Sequence, residues 1–210
     1  MTNNHLHPSI KSLALGLVAA VALAAGNTAQ AALVFTITEQ LGGGVNTTFS
    51  GSLQFDSADV QTVGSSIGEV LIPNSGELQV GPTVTGHIQL DIIQAGGPAS
   101  FGTGGASLPD GSSSGDTAGF NVGASAVFLP TGYFSGTTIS GASLYNTDFL
   151  NSGDPATLAN LGLTAGTYVW NTQSGSFSDT ITLNIIPAVP EPSTFALLAL
   201  AGLGLLRRRR

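Results

Sequence analysis

The 210-residue sequence contains no cysteine, so no disulfide can staple it and its fold must rest on packing and backbone pairing. Basic residues are almost as scarce. There are five Lys and Arg in the chain, and they are Lys11 and Arg207 to Arg210. Residues 32–187 therefore carry no Lys or Arg, against eleven acids, which are the chain's twelve Asp and Glu less Glu191. Such a body makes no salt bridge of its own except through His87. With no cation to displace phosphate counterions, it excludes nucleic acid and anionic lipid as partners. Few Lys and Glu beside abundant Gly, Ser, Thr, Val and Ile exclude a helical bundle.

Catalytic residue types are thin as well. His87 is the only body histidine, so there is no multi-histidine metal site and no Ser-His-acid triad without it. Its strand pattern puts it on a polar face near Asp91, where it is expected to be solvated. The Gly-rich strings at 96–97 and 102–105 have no lysine after them and no helix to complete a phosphate cradle. Asp56 with Asp59, and Asp110 with Asp116, are near enough in sequence to test as glycosidase carboxylate pairs. One Trp and no Arg leave such a pair without walls or basic neighbours, and Asp56 and Asp59 read as turn residues. The expectation is a non-enzyme. Calcium suits the acids better, because it wants several oxygens and no nearby cation. Asp110 and Asp116 bracket a Gly/Ser loop that could hold it, and 148–154 is a second such loop. Neither matches an EF-hand or a Gly-Gly-x-Gly-x-Asp repeat. No other cofactor is expected.

What the body does have is alternation. Leu33, Phe35 and Ile37 alternate with polar or outward positions, and Phe49, Gly51, Leu53 and Phe55 do the same over 47–55. Residues 67–72 and 77–80 predict a hairpin around Pro73-Asn74-Ser75-Gly76. Residues 83–94 predict a strand with Val84, Ile88, Leu90 and Ile92 inward. Residues 95–117 lack periodicity and read as a long loop, in part disordered. Strands resume at 119–129 (Phe120, Val122, Ala124, Ala126 and Phe128 inward), 133–140 and 142–146. One helix-like turn follows at 158–161, ending near Gly162. A last hairpin, 167–171 with 177–186, has a four-residue loop that sets Trp170 opposite Asp179 and Tyr168 opposite Ile181. The fold class expected is all-β, an antiparallel two-sheet sandwich of jelly-roll or Ig-like kind over 32–187. If exposed on it, Trp170, Tyr133 or Tyr145 would serve as stacking platforms in a carbohydrate-binding module.

Both ends carry a different chemistry. His5, His7 and Lys11 precede an apolar stretch at 12–25, then the small-x-small site Ala29-Gln30-Ala31, so residues 1–31 read as a signal peptide cut by signal peptidase before Ala32. At the other end Pro190 and Pro192 stiffen Val189-Pro190-Glu191-Pro192-Ser193. From Phe195 to Leu206 every residue is Phe, Leu, Ala or Gly, and Arg207, Arg208, Arg209 and Arg210 close the chain. That run covers roughly 18 Å as a helix, short of a roughly 30 Å hydrocarbon core, and only the whole of 189–206 is barely enough to span. The arginines place that end in the cytoplasm as a membrane stop. A span so marginal suits transient anchoring in the inner membrane.

This three-part tail, 188–210, resembles the PEP-CTERM sorting signal of Gram-negative bacteria. The resemblance implies recognition and cleavage by the membrane protease exosortase, then delivery to the cell surface or an extracellular matrix of exopolysaccharide and biofilm. Residues 140–144 and 158–170, with Leu161-Gly162-Leu163-Thr164-Ala165-Gly166-Thr167-Tyr168-Val169-Trp170, also resemble a segment common in such exported proteins. That second likeness implies a shared β-domain and brings no catalytic residues.

Overall fold

The computed structural model describes residues 31–189 except Phe149 and Asn151, and leaves the side chains of 62–65 undescribed. Residues 1–30 of the expected leader, with Ala29, and the tail from Pro190 to Arg210 lie outside those residues; Ala31, the last of the leader, is described. In chain order the strands are β1 (Ala32–Glu39), β2 (Val45–Gly51), β3 (Val60–Ile67), β4 (Val70–Ile72), β5 (Glu77–Val80) and β6 (Val84–Asp91). They continue with β7 (Ser113–Gly115), β8 (Ala118–Asn121), β9 (Ala126–Pro130), β10 (Ile139–Tyr145), β11 (Gly166–Ser174) and β12 (Phe177–Ile186).

Two six-stranded sheets result, ordered β11-β12-β1-β2-β10-β7 and β3-β6-β9-β8-β5-β4. The chain is thus mostly β, and the two sheets share one core, as a sandwich does. One pairing departs from the antiparallel expectation: β1 and β12 are parallel, from Ala32 opposite Thr180 to Thr38 opposite Ile186. The first and last strands lie side by side, which a reading of local alternation cannot reveal.

Period-2 alternation turns directly into rows across the sheets. In the first sheet Trp170, Ile181, Leu33, Gly51 and Ile139 form one row, and Tyr168, Leu183, Phe35, Phe49 and Gly141 the next. In the second, Leu90, Val127, Phe120, Leu78 and Leu71 line up. Phe35 meets Phe120 edge-on at 5.1 Å between centroids, and Phe120 meets Trp170 at 4.9 Å. These contacts close the space between the sheets with aromatic area, the largest single contribution a side chain makes to a core.

Several local expectations need correction. The final hairpin turns on Gly175-Ser176 alone, with Gly175 at φ 55°, so Trp170 faces Ile181, Tyr168 faces Leu183 and Thr172 faces Asp179. The register moves by two residues, which leaves every side chain on the face expected for it. Residues 119–129 are two strands, β8 and β9, joined by a four-residue turn that Asn121 Oδ1 caps by accepting the Ala124 N–H. After that turn the inward residues become Val127 and Leu129, and Phe128 goes outward. The expected strands at 133–140 and 142–146 are one strand, β10, beginning at Ile139. Residues 60–67 form β3, and the hairpin arm starts only at Val70.

Residues 95–117 are ordered over the end of the core. Phe101 is buried against Phe120 and Tyr168, and Trp170 Nε1 donates to Pro98 O at 2.8 Å. Gly102 and Gly104 lie so close to the backbone of Gly162 and Leu161 that a Cβ on either would sit 2.1 or 2.0 Å from a carbonyl oxygen. The segment packs by backbone and therefore shows no side-chain period. The helical turn expected at 158–161 forms, with Thr157 Oγ1 accepting the Asn160 N–H as N-cap, but it has company: Ser57–Asp59 and Pro73–Ser75 each make a short 3-10 turn. Gly162, at φ 63°, ends the 158–161 turn with Leu163 N bonded to Leu158 O and Gly162 N to Ala159 O, a Schellman motif.

Candidate functional site

Two places on the body bear on function: the root of the tail and an open pocket beside β10. The root follows from the parallel pair. Because Ile186 lies opposite Thr38, the chain leaves β12 beside the last residue of β1, Glu39. The Glu39 carboxylate accepts the Ala188 N–H at 3.2 Å and the Leu158 N–H at 3.1 Å. Leu158 opens the helical turn, where an N–H has no partner within the helix, so the acid satisfies an otherwise orphaned donor. Pro187 and Val189 on either side of Ala188 are exposed.

The pocket is built by residues 130–139, the connection from β9 to β10. The Tyr133 hydroxyl accepts the Leu53 N–H at 2.8 Å and lies 2.7 Å from its acceptor Thr137 O. Its ring stacks on Phe55 at 5.8 Å. Ser135 Oγ accepts the Phe55 N–H at 2.9 Å, and the Gly136 N–H donates to Leu53 O at 2.8 Å. Burial raises the Tyr133 pKa above the ordinary phenol value; the Leu53 N–H opposes this and the Asp179 charge adds to it. The connection is therefore firmly tied to the 53–55 segment, yet it carries Phe134 with 77% of its surface in solvent. Under that ring is an open pocket of about 200 Å³ lined by Asp116, Pro130, Thr131, Tyr133, Thr137 and Ile139 among others.

The expected site residues are placed as follows. Trp170 and Tyr145 are fully buried, so neither offers a face to a sugar; Tyr133 is half-buried with its hydroxyl engaged. Phe134, which the sequence reading passed over, is the most exposed ring among the described residues. Burial first, and then the Glu69 charge, push the Tyr145 hydroxyl far above its ordinary pKa. Asp110 and Asp116 do not converge on one ion. Asp110 accepts the N–H groups of Asn146 and Thr147 and the Thr147 hydroxyl, while Asp116 accepts the Ser140 N–H at the other end of β10. Six residues of extended chain, about 20 Å, separate them. Burial is the largest single influence on Asp110 and opposes its ionisation, but the hydrogen bonds it accepts together outweigh burial and lower its pKa.

Asp56 and Asp59 are turn residues, as expected: Asp56 Oδ1 caps the 3-10 turn Ser57–Asp59 at Ala58, and Asp59 accepts Ser174 Oγ. His87 is buried, not solvated, and lies edge-on to Phe128 at 5.5 Å. The outward turn of Phe128 in the hairpin is what covers it. Gly111, Ser113 and Gly115 have the spacing of a nucleophile elbow. Gly111 leads into β7, where Ser113 and Gly115 lie extended against β10, and not over a strand-to-helix turn.

A family model for the PEP-CTERM protein-sorting motif matches residues 188–210. The chain carries a PEP-CTERM sorting motif. The match begins at Ala188, the residue that Glu39 holds. The motif marks an exported protein sorted at the cell envelope. No curated protein and no solved structure matches the chain. Among the described residues no helix is long and apolar enough to cross a membrane, and the apolar run at 195–206 lies outside them.

Proposed function

We propose that this is an exported, non-enzymatic surface or matrix protein, whose β-body is released when exosortase cleaves the PEP-CTERM tail. In this reading signal peptidase removes residues 1–31, the apolar run holds the chain briefly in the inner membrane, and Arg207 to Arg210 stop it there. After cleavage the body joins exopolysaccharide or biofilm at the cell surface. The observation that carries the reading is the motif match at 188–210, immediately after the last strand of the body. A Pro190→Ala, Pro192→Ala chain expressed in its own cell should accumulate as a precursor that still has its terminal arginines by mass spectrometry. A mature mass identical to wild type would overturn the reading.

A second reading, carbohydrate binding by the body, is favoured by Phe134. An exposed ring on a tied-down connection, beside a carboxylate and two threonine hydroxyls, suits the C–H face and hydroxyls of a neutral sugar. In gels cast with the cell's own exopolysaccharide, Phe134→Ala should lose the retardation shown by wild type at an unchanged melting temperature. Equal retardation of the two would remove Phe134 from any such site.

A further inference from the structure

We infer that Glu39 is a positioning residue for tail cleavage, locking the one backbone joint between the β-body and the sorting motif that proline does not restrain. The inference rests on the sorting reading above. Proline fixes its own φ and biases the residue before it towards extended conformations. In the stretch Ile186, Pro187, Ala188, Val189, Pro190, Glu191, Pro192, these two effects restrain every residue except Ala188. Ile186, Val189 and Glu191 each precede a proline, and the other three are prolines. Ala188 alone is neither, and it is the residue whose N–H the Glu39 carboxylate accepts at 3.2 Å.

Glu39 is itself fixed. It ends β1, whose parallel partner β12 delivers the tail, and its second oxygen holds Leu158 N at 3.1 Å. The joint is closed from a residue 149 positions away in sequence, so it closes only once the first and last strands have paired. A protease that reads Pro190 to Pro192 then finds its motif two residues along the chain from an anchored point. Holding a segment in one conformation before binding spares the protease the ordering cost.

Pulse-labelled full-length protein in its own cell, followed from precursor to mature mass, tests this. Glu39→Ala should slow conversion by up to roughly tenfold, about what one charge-assisted hydrogen bond is worth. Adding Ala188→Pro to Glu39→Ala should restore the rate, because proline fixes φ at that joint without needing the carboxylate. Ala188 has a negative φ, as proline requires, since Ser125 is the only non-glycine described with a positive one. Adding Ala188→Gly should restore nothing.

Wild-type conversion of Glu39→Ala would overturn the inference. So would slow conversion that Ala188→Pro does not relieve, because Glu39 would then act only through Leu158 and the stability of the body. The Pro190→Ala, Pro192→Ala chain, run in parallel, separates the two ideas. If it is blocked while Glu39→Ala is not, only the joint is refuted; if it too matures normally, the sorting reading falls.

Discussion

Trp170→Ala is expected to lower the unfolding free energy by about 3–5 kcal/mol, the range for truncating a large buried aromatic. The ring is fully buried, lies 4.9 Å from Phe120 and stacks on Tyr168 at 6.3 Å. Its Nε1 also donates to Pro98 O, so the loss extends to residues 95–117, which lie over it. Gly97 has no room for a side chain because its Cβ would stand 2.4 Å from the indole Cδ1. Against the 5–15 kcal/mol typical of a domain, that is a large fraction. Urea titration should show a lower midpoint with an unchanged slope. Trp170→Phe keeps most of the apolar area and should lose about 1–2 kcal/mol, mainly the hydrogen bond. A loss below about 1 kcal/mol for the alanine variant is incompatible with a core position.

Gly81→Ala is expected to cost about 3 kcal/mol or more, combining backbone strain with overpacking. Gly81 follows β5 at φ 99°, and a Cβ there would lie 1.9 Å from the Asp116 carbonyl oxygen. Its N–H donates to Ser143 Oγ at 2.9 Å, and that buried hydroxyl donates in turn to Glu69 at 3.0 Å. One serine on β10 thus ties the edge of one sheet to the other. Making room for the methyl means moving the link between β7 and β8 and losing that tie. Gly132→Ala supplies the control, since Gly132 has φ 83° with nothing within 4 Å of its Cβ position. It should show the conformational cost alone, about 1–2 kcal/mol. If thermal melts show equal losses for the two, the close approach at Gly81 is not what stabilises the fold.

The residues that declared themselves in sequence are those whose signal is local. Leu33, Phe35 and Ile37 alternate and make the inner face of β1, and Thr157 to Gly162 spell a capped turn. The whole sorting motif lies in one stretch. Where the signal failed, the physics was hidden from a linear reading. The β8–β9 turn is made of Val122, Gly123, Ala124 and Ser125, small or apolar residues that prolong the alternation as if the strand went on. Residues 95–117 pack through glycine backbones, which leave no period. His87 sits on the polar face of its own strand and is covered by Phe128 from another. Phe134 drew no attention beside Tyr133, because which of two adjacent rings faces water depends on how their connection is tied down. Glu39 was invisible as a partner of Ala188, since nothing near either residue points to the other.

The parallel pairing of β1 with β12 also fixes where the ends of the body point. Ala32 and Ala188 emerge at opposite poles, separated by the length of the shared ladder, about 20 Å. A circular permutant joining them would need a return connection of a dozen residues or more, as parallel neighbours require. Any passenger fused ahead of Ala32 would ride on the pole away from the tail's root, out of the way of whatever cuts there.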